Sequence, residues 1–146
     1  MRVIERQNFP NERDLYAAEN VWLKNCTFAG PEDGESALKE AKNVKLEGCL
    51  MDLRYPLWHN AGVELVDVAM SDKCRAAIWY TDGLTARTCK LLGIKALREC
   101  VHIDISDSEI VSPEFGWKCR DVRIRNCAIE SEYCFLLSAD VRLESV

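Results

Sequence analysis

Apolar and polar positions alternate in short bursts that recur along the whole chain. Aligned on itself, the sequence repeats apolar, polar, apolar, polar, turn-former, small, any, apolar. The copies are VWLKNCTF (21–28), VKLEGCLM (44–51), VELVDVAM (63–70), LTARTCKL (84–91), IDISDSEI (103–110), VRIRNCAI (122–129) and a last VRLESV (141–146). Their starts are separated by 23, 19, 21, 19, 19 and 19 residues, and self-similarity at a period near 20 marks a solenoid. A longer match of ALKEAKNVKL (37–46) to ALRECVHIDI (96–105) supports the register. Within each copy the period-2 pattern predicts a strand with one buried face. The fifth position reads Asn25, Gly48, Asp67, Thr88, Asp107, Asn126 and Ser145, residues that favour turns, so the chain is expected to bend there in every coil. The sixth reads Cys26, Cys49, Val68, Cys89, Ser108, Cys127 and Val146, small side chains suited to the inside of a narrow cylinder. Six residues before each start lies a second apolar column, Leu15, Leu38, Leu57, Ile78, Leu97, Gly116 and Phe135, which predicts a second inward-facing strand per coil.

These columns predict an all-β fold, a single-stranded right-handed parallel β-helix of about seven coils of 19–23 residues, in one domain over 1–146. Residues 1–12, with Val3, Ile4, Phe9 and Pro10, are expected to cap its N-terminal end. A leucine-rich repeat is the main rival, because Ala41, Val44, Leu46, Cys49 and Met51 fit its template. That fold needs a helical segment on the far side of each repeat, where this chain has YPLWHN, AAIWYTDG and PEFGWK, rich in Pro, Gly and aromatic residues. The six-residue sub-repeats of a left-handed β-helix are absent.

Composition adds little chemistry. The 146 residues carry a net charge of −5, with a pI near 5.1, which argues against a nucleic-acid partner, since such binding rests on Lys and Arg neutralising phosphates. The local basic group Arg120, Arg123, Arg125 and Arg142 is interrupted by Asp121 and Glu144. No signal peptide or membrane-spanning run is evident, so a cytoplasmic protein is expected. The eight cysteines lack CxxC spacing and read as buried free thiols; neither a metal nor a cofactor is expected. GPEDGES (30–36) reads as a surface loop inserted in the first period.

The strings GPEDGESALKE (30–40), LRYPLWH (53–59), RAAIWY (75–80), GIKALREC (93–100), SPEFGWKC (112–119) and SEYCFLL (131–137) resemble an uncharacterised bacterial family classed as a domain of unknown function. The chain is similar to the N-terminal half of its members. The resemblance implies a right-handed parallel β-helix and no particular activity.

Five residues before each start stand Tyr16, Lys39, Trp58, Trp79, Arg98, Trp117 and Leu136, a column of opposite parity to the inward leucines and therefore expected to face outward. Trp58, Trp79, Arg98 and Trp117, with Tyr80 beside them, are the candidate ligand-binding residues. The rings either pack on one another to seal the sheet or form a strip that meets a carbohydrate or a protein. Arg54, His59, Arg75, Lys95, Glu99, Glu114 and Glu132 surround the strip. The preferred expectation is a non-enzymatic binding or scaffold protein. The alternative is a carbohydrate-active enzyme resembling a polysaccharide lyase or glycoside hydrolase. In that case Glu99 or Glu114 would act as acid or base and Arg75 or Arg98 as anchor, with His59 a weaker candidate. His59 more simply reads as a hydrogen-bonded turn residue, and His102 has no evident partner. Because no cap follows the last repeat, an end-to-end homodimer through residues 131–146 is expected.

Overall fold

The structure, a computed structural model, describes residues 1–30 and 36–146. The loop expected over 30–36 therefore lies largely outside the described residues. Strands are numbered in chain order. The largest sheet stacks β1 (Arg2–Glu5), β2 (Glu19–Lys24), β4 (Lys42–Glu47), β6 (Ala61–Val66), β8 (Asp82–Arg87), β10 (Val101–Ser106), β13 (Arg120–Arg125) and β16 (Ala139–Glu144). A second stacks β3 (Thr27–Ala29), β5 (Leu50–Asp52), β7 (Ala69–Met70), β9 (Lys90–Leu91), β11 (Glu109–Val111) and β14 (Ala128–Glu130). β12 (Glu114–Trp117) pairs with β15 (Tyr133–Leu136) on the third side. All pairings are parallel, so the chain is an all-β parallel solenoid, and its one helical segment among the described residues is a 3₁₀ turn at Asp72–Cys74.

The predicted register is the observed one. Val21, Val44, Val63, Leu84, Ile103, Val122 and Val141 are direct partners up the stack, and the first six of them are buried. The turn column has left-handed backbone in every coil, from Asn25 (φ 54°) to Ser145 (φ 54°). Asn and Asp tolerate that region through local hydrogen bonding. At Gly48 a Cβ would meet the Oδ1 of the exposed Asn25 stacked beneath it, so a side chain there requires the Asn25 amide to move.

The second inward column is also confirmed, because Leu38, Leu57, Ile78 and Leu97 are all buried. It does not, however, form the strand expected of it in every coil. Leu57 and His59 on either side of Trp58 both have positive φ (61° and 57°), as do Ile78 and Tyr80 around Trp79. The same pattern recurs around Trp117 and Leu136, at Gly116 and Lys118 and at Phe135 and Leu137, so it does not by itself end a strand; in the earlier coils this side is a row of single bridges, Trp58 to Trp79 to Arg98 to Trp117. Only β12 and β15 lengthen into a ladder.

Seven of the eight cysteines are buried and all are free; Cys134 is exposed. Burial pushes the Cys49 thiol up to about 11 and the Cys74 thiol up to about 12, values that suit inert packing groups. At the N-terminal end, residues expected as a cap add β1 to the large sheet. The Phe9 ring stacks on the buried Phe28 (centroids 4.9 Å apart), closing that end of the core. The last coil is different. β14, β15 and β16 are edge strands, and Leu137, Leu143 and Val146 are 75 %, 48 % and 52 % exposed.

Candidate functional site

From Trp58 to Trp117 the outward column forms a ladder in which each side chain stacks on the next. Trp58 and Trp79 are nearly parallel stacked rings, 4.7 Å apart at 8°. The Arg98 guanidinium lies 4.8 Å from the Trp79 ring and 4.1 Å from the Trp117 ring, between the two. The Trp58 and Trp79 indole N–H groups donate to the carbonyls of Ala76 and Lys95, each at 2.7 Å. Tyr80 meets both indoles edge-on and stacks on His59 at 4.6 Å. Aromatic pairs contribute about 0.5–1.5 kcal/mol each and cation–π pairs about 0.5–2 kcal/mol, so the ladder stabilises the fold. Because parallel coils superpose like residues, the rings stack along the axis, with Trp58 on one face of Trp79 and the Arg98 guanidinium between Trp79 and Trp117. A planar ligand therefore meets ring edges along most of the strip.

The ladder opens at its C-terminal end. Trp79, Arg98 and Trp117 line a cleft of about 210 Å³ together with Lys95, Glu114, Gly116, Tyr133 and Leu136. Tyr133 and Leu136 are 52 % and 47 % exposed. Glu114 pairs with Lys95 at 3.7 Å, and Glu99 with Arg98 Nε at 3.5 Å. Of the candidate site residues and their polar surround singled out from the sequence, the cleft gathers Trp79, Lys95, Arg98, Glu114 and Trp117. Trp58, Tyr80 and His59 belong to the stacked part of the ladder. Arg75 sits at the end of the 3₁₀ turn, where its carbonyl accepts from Lys95 N–H.

A second concavity crosses the outer face of the large sheet. It has a volume of about 690 Å³ and runs over five coils, from Asn43 and Lys45 to Asp121 and Arg123. Its floor is open at Gly62 and Gly83, and His102 stands above them with Nδ1 2.8 Å from Asp82 Oδ1 and Nε2 3.7 Å from Asp121 Oδ2.

A family model described as "Protein of unknown function (DUF3737)" matches residues 2–146. The chain belongs to this family. No curated protein and no solved structure matches it. No helix among the described residues of this DUF3737 member is long and apolar enough to cross a membrane.

His102 corrects the reading from sequence, which gave it no partner. The signal was present in this DUF3737 chain's own repeat. The position one before each repeat start reads Asn20, Asn43, Gly62, Gly83, His102, Asp121 and Asp140. Asp121 thus lies directly over His102, and Asp82 occupies the neighbouring column one coil below.

Proposed function

We propose that the protein is a non-catalytic binding module for a partner protein, which seats one anchor side chain in the cleft beside Trp117. The size of the cleft carries this reading. Pockets that enclose small molecules usually span about 300–1,000 Å³, and a space of about 210 Å³ suits a single large side chain. Its lining supplies Trp, Tyr and Arg, the residue types that dominate interface hot spots. Arg98 makes its ion pair through Nε, which leaves the terminal nitrogens for a carboxylate or carbonyl of the partner. The covered ring faces disfavour sugar stacking on the strip, and the ion pairs of Glu99 and Glu114 disfavour the acid–base pair that a hydrolase or lyase requires.

A peptide-display selection against the immobilised protein tests this. Peptides are expected to be enriched, with affinity falling by about tenfold or more in Trp117→Leu and in the rim variant Tyr133→Ala. Tyr133 is exposed, so its truncation leaves the core untouched. No enrichment, or enriched peptides that bind both variants like the parent, overturns the reading.

A second copy of the chain is the partner we propose for the last coil. Its edge strands and its exposed Leu137, Leu143 and Val146 form a surface of the kind that strand pairing and apolar burial cover. Light scattering is expected to show a dimer that Leu143→Glu dissociates; a concentration-independent monomer counts against it.

A further inference from the structure

We propose that the second copy meets the last coil in a single register, as a closed two-fold dimer. In it β16 pairs antiparallel with its own counterpart, Leu143 lies on the axis, and Arg142 of each copy faces Glu144 of the other. The proposal rests on the reading that a second copy covers this coil, and it specifies the contact. The backbone of β16 is set for such pairing. Asn126 N–H bonds the Glu144 carbonyl at 2.9 Å, and successive residues of a strand direct their backbone groups to opposite edges. Glu144 and Arg142 therefore bond to the coil below, while Val141 and Leu143 aim N–H and C=O away from the molecule, as an edge strand does. Leu143 continues the inward column of Ile105 and Ile124, which are buried, yet is itself 48 % exposed.

The two ends of the solenoid do not fit each other. Head-to-tail stacking would set β1 of the next copy on β16. β1 aligns Arg2 with the Val21 column and Glu5 with the Lys24 column. The joint would then place the partner's Arg2 over Val141 and the partner's Glu5 over Glu144. A charge in an inward column and a like-charge pair both oppose it. The C-terminal end is left to meet its own copy, and a contact of one surface with itself closes at two subunits.

Charge then selects the register. The outward side chains of β16 run negative, positive, negative, at Asp140, Arg142 and Glu144. Arg142 is stacked on Arg123, which is paired with Glu144 at 3.8 Å. Among the described residues Arg142 has no ion pair of its own. A two-fold axis at Arg142 would oppose the two Arg142 side chains and set Asp140 against Glu144, and an axis at Glu144 would oppose the two Glu144 carboxylates. Like charges directly across a strand pair destabilise it. An axis at Val141 would set Arg142 against Asp140. There the ladder with β13 passes from Arg120–Ala139 to Val122–Val141 and skips Asp140, whose backbone is left-handed (φ 55°). An axis at Leu143 sets Arg142 against Glu144 twice, at the non-hydrogen-bonded positions where facing side chains stand closest. Such an axis, normal to the sheet, keeps both interiors on the same side, so the two Leu143 side chains meet and extend the core.

Sedimentation equilibrium at low salt, where exposed charge pairs are least screened, tests the register in a Cys134→Ser background, which removes the exposed native thiol. A dimer is expected. Arg142→Glu and Glu144→Arg should each weaken it about tenfold or more, and the two combined should return its affinity to within about threefold of the parent. A mixture of Arg142→Cys and Glu144→Cys chains, oxidised with diamide, should give a disulfide-linked heterodimer. Facing Cα atoms at non-hydrogen-bonded positions lie about 4.5 Å apart, within the span of about 4.4–6.8 Å that a disulfide bridges. Arg142→Cys chains that couple to Asp140→Cys chains instead overturn the register, as do charge reversals without effect or without mutual compensation, and species that grow beyond a dimer. Each of these leaves standing the reading that a second copy covers the coil; a monomer at every concentration overturns both.

Discussion

Leu97→Asp is expected to abolish the native fold. Leu97 is 1 % exposed and belongs to the inward column with Leu57 and Ile78, where its backbone N–H bonds the Ala77 carbonyl below. The substitution removes about 1.5–3 kcal/mol of apolar burial. It also places a carboxylate in a cylinder whose neighbouring buried side chains are Ala, Ile, Cys and Phe, with no cation to pair it. Leaving a charge there costs several kcal/mol more, or forces it to protonate. Against a total stability of about 5–15 kcal/mol for a domain, the sum leaves little or no native population. Far-UV circular dichroism and urea denaturation read the outcome. Leu97→Met, which conserves volume and apolar character, is expected to cost less than about 1.5 kcal/mol. A soluble Leu97→Asp variant that melts like the parent would show that this column does not fill the core.

The repeat made the core legible because each inward column is a statement about facing, and facing follows from alternation alone. Val63, Leu84 and Ile103 could be placed in register without knowledge of any contact. Two features needed more than facing. Continuity of a strand depends on backbone pairing, and this side pairs at single positions such as Trp58 to Trp79 while Leu57 beside them stays inside. The orientation of a ring depends on what lies one coil away. The tryptophan column faces outward as its parity predicts, but the stacking of Trp58 on Trp79 turns the ring faces along the axis and covers those that meet. The concavity across the large sheet was missed for a different reason. It is made by side chains that are absent at Gly62 and Gly83, and a search for reactive residues does not register absences. His102 is isolated along the sequence because its partners Asp82 and Asp121 are 20 and 19 positions away, one coil to either side.

Gly116→Leu is expected to destabilise the C-terminal coils by about 1–3 kcal/mol, the usual cost of overpacking, although it restores the residue type that the column carries elsewhere. The reason lies one coil above. A Cβ at Gly116 would run into the ring of Phe135, which lies across the gap that the glycine leaves. The Phe135 ring also meets the buried Phe115 edge to face at 5.2 Å, so it cannot swing out without losing that contact. Backbone strain is the smaller part, since Leu38, Leu57 and Leu97 adopt comparable positive φ (57°, 61° and 65°) at the equivalent places. If steric conflict dominates, Phe135→Leu, which shortens the offending side chain, should recover a large part of the loss when combined with Gly116→Leu. A double-mutant cycle by urea denaturation would then give a coupling of about 0.5–3 kcal/mol. Additive effects of the two substitutions would instead locate the cost in the backbone. Because Gly116 also lines the cleft beside Trp117, the same pair of variants reports whether the volume of that cleft is set by the glycine or by the ring above it.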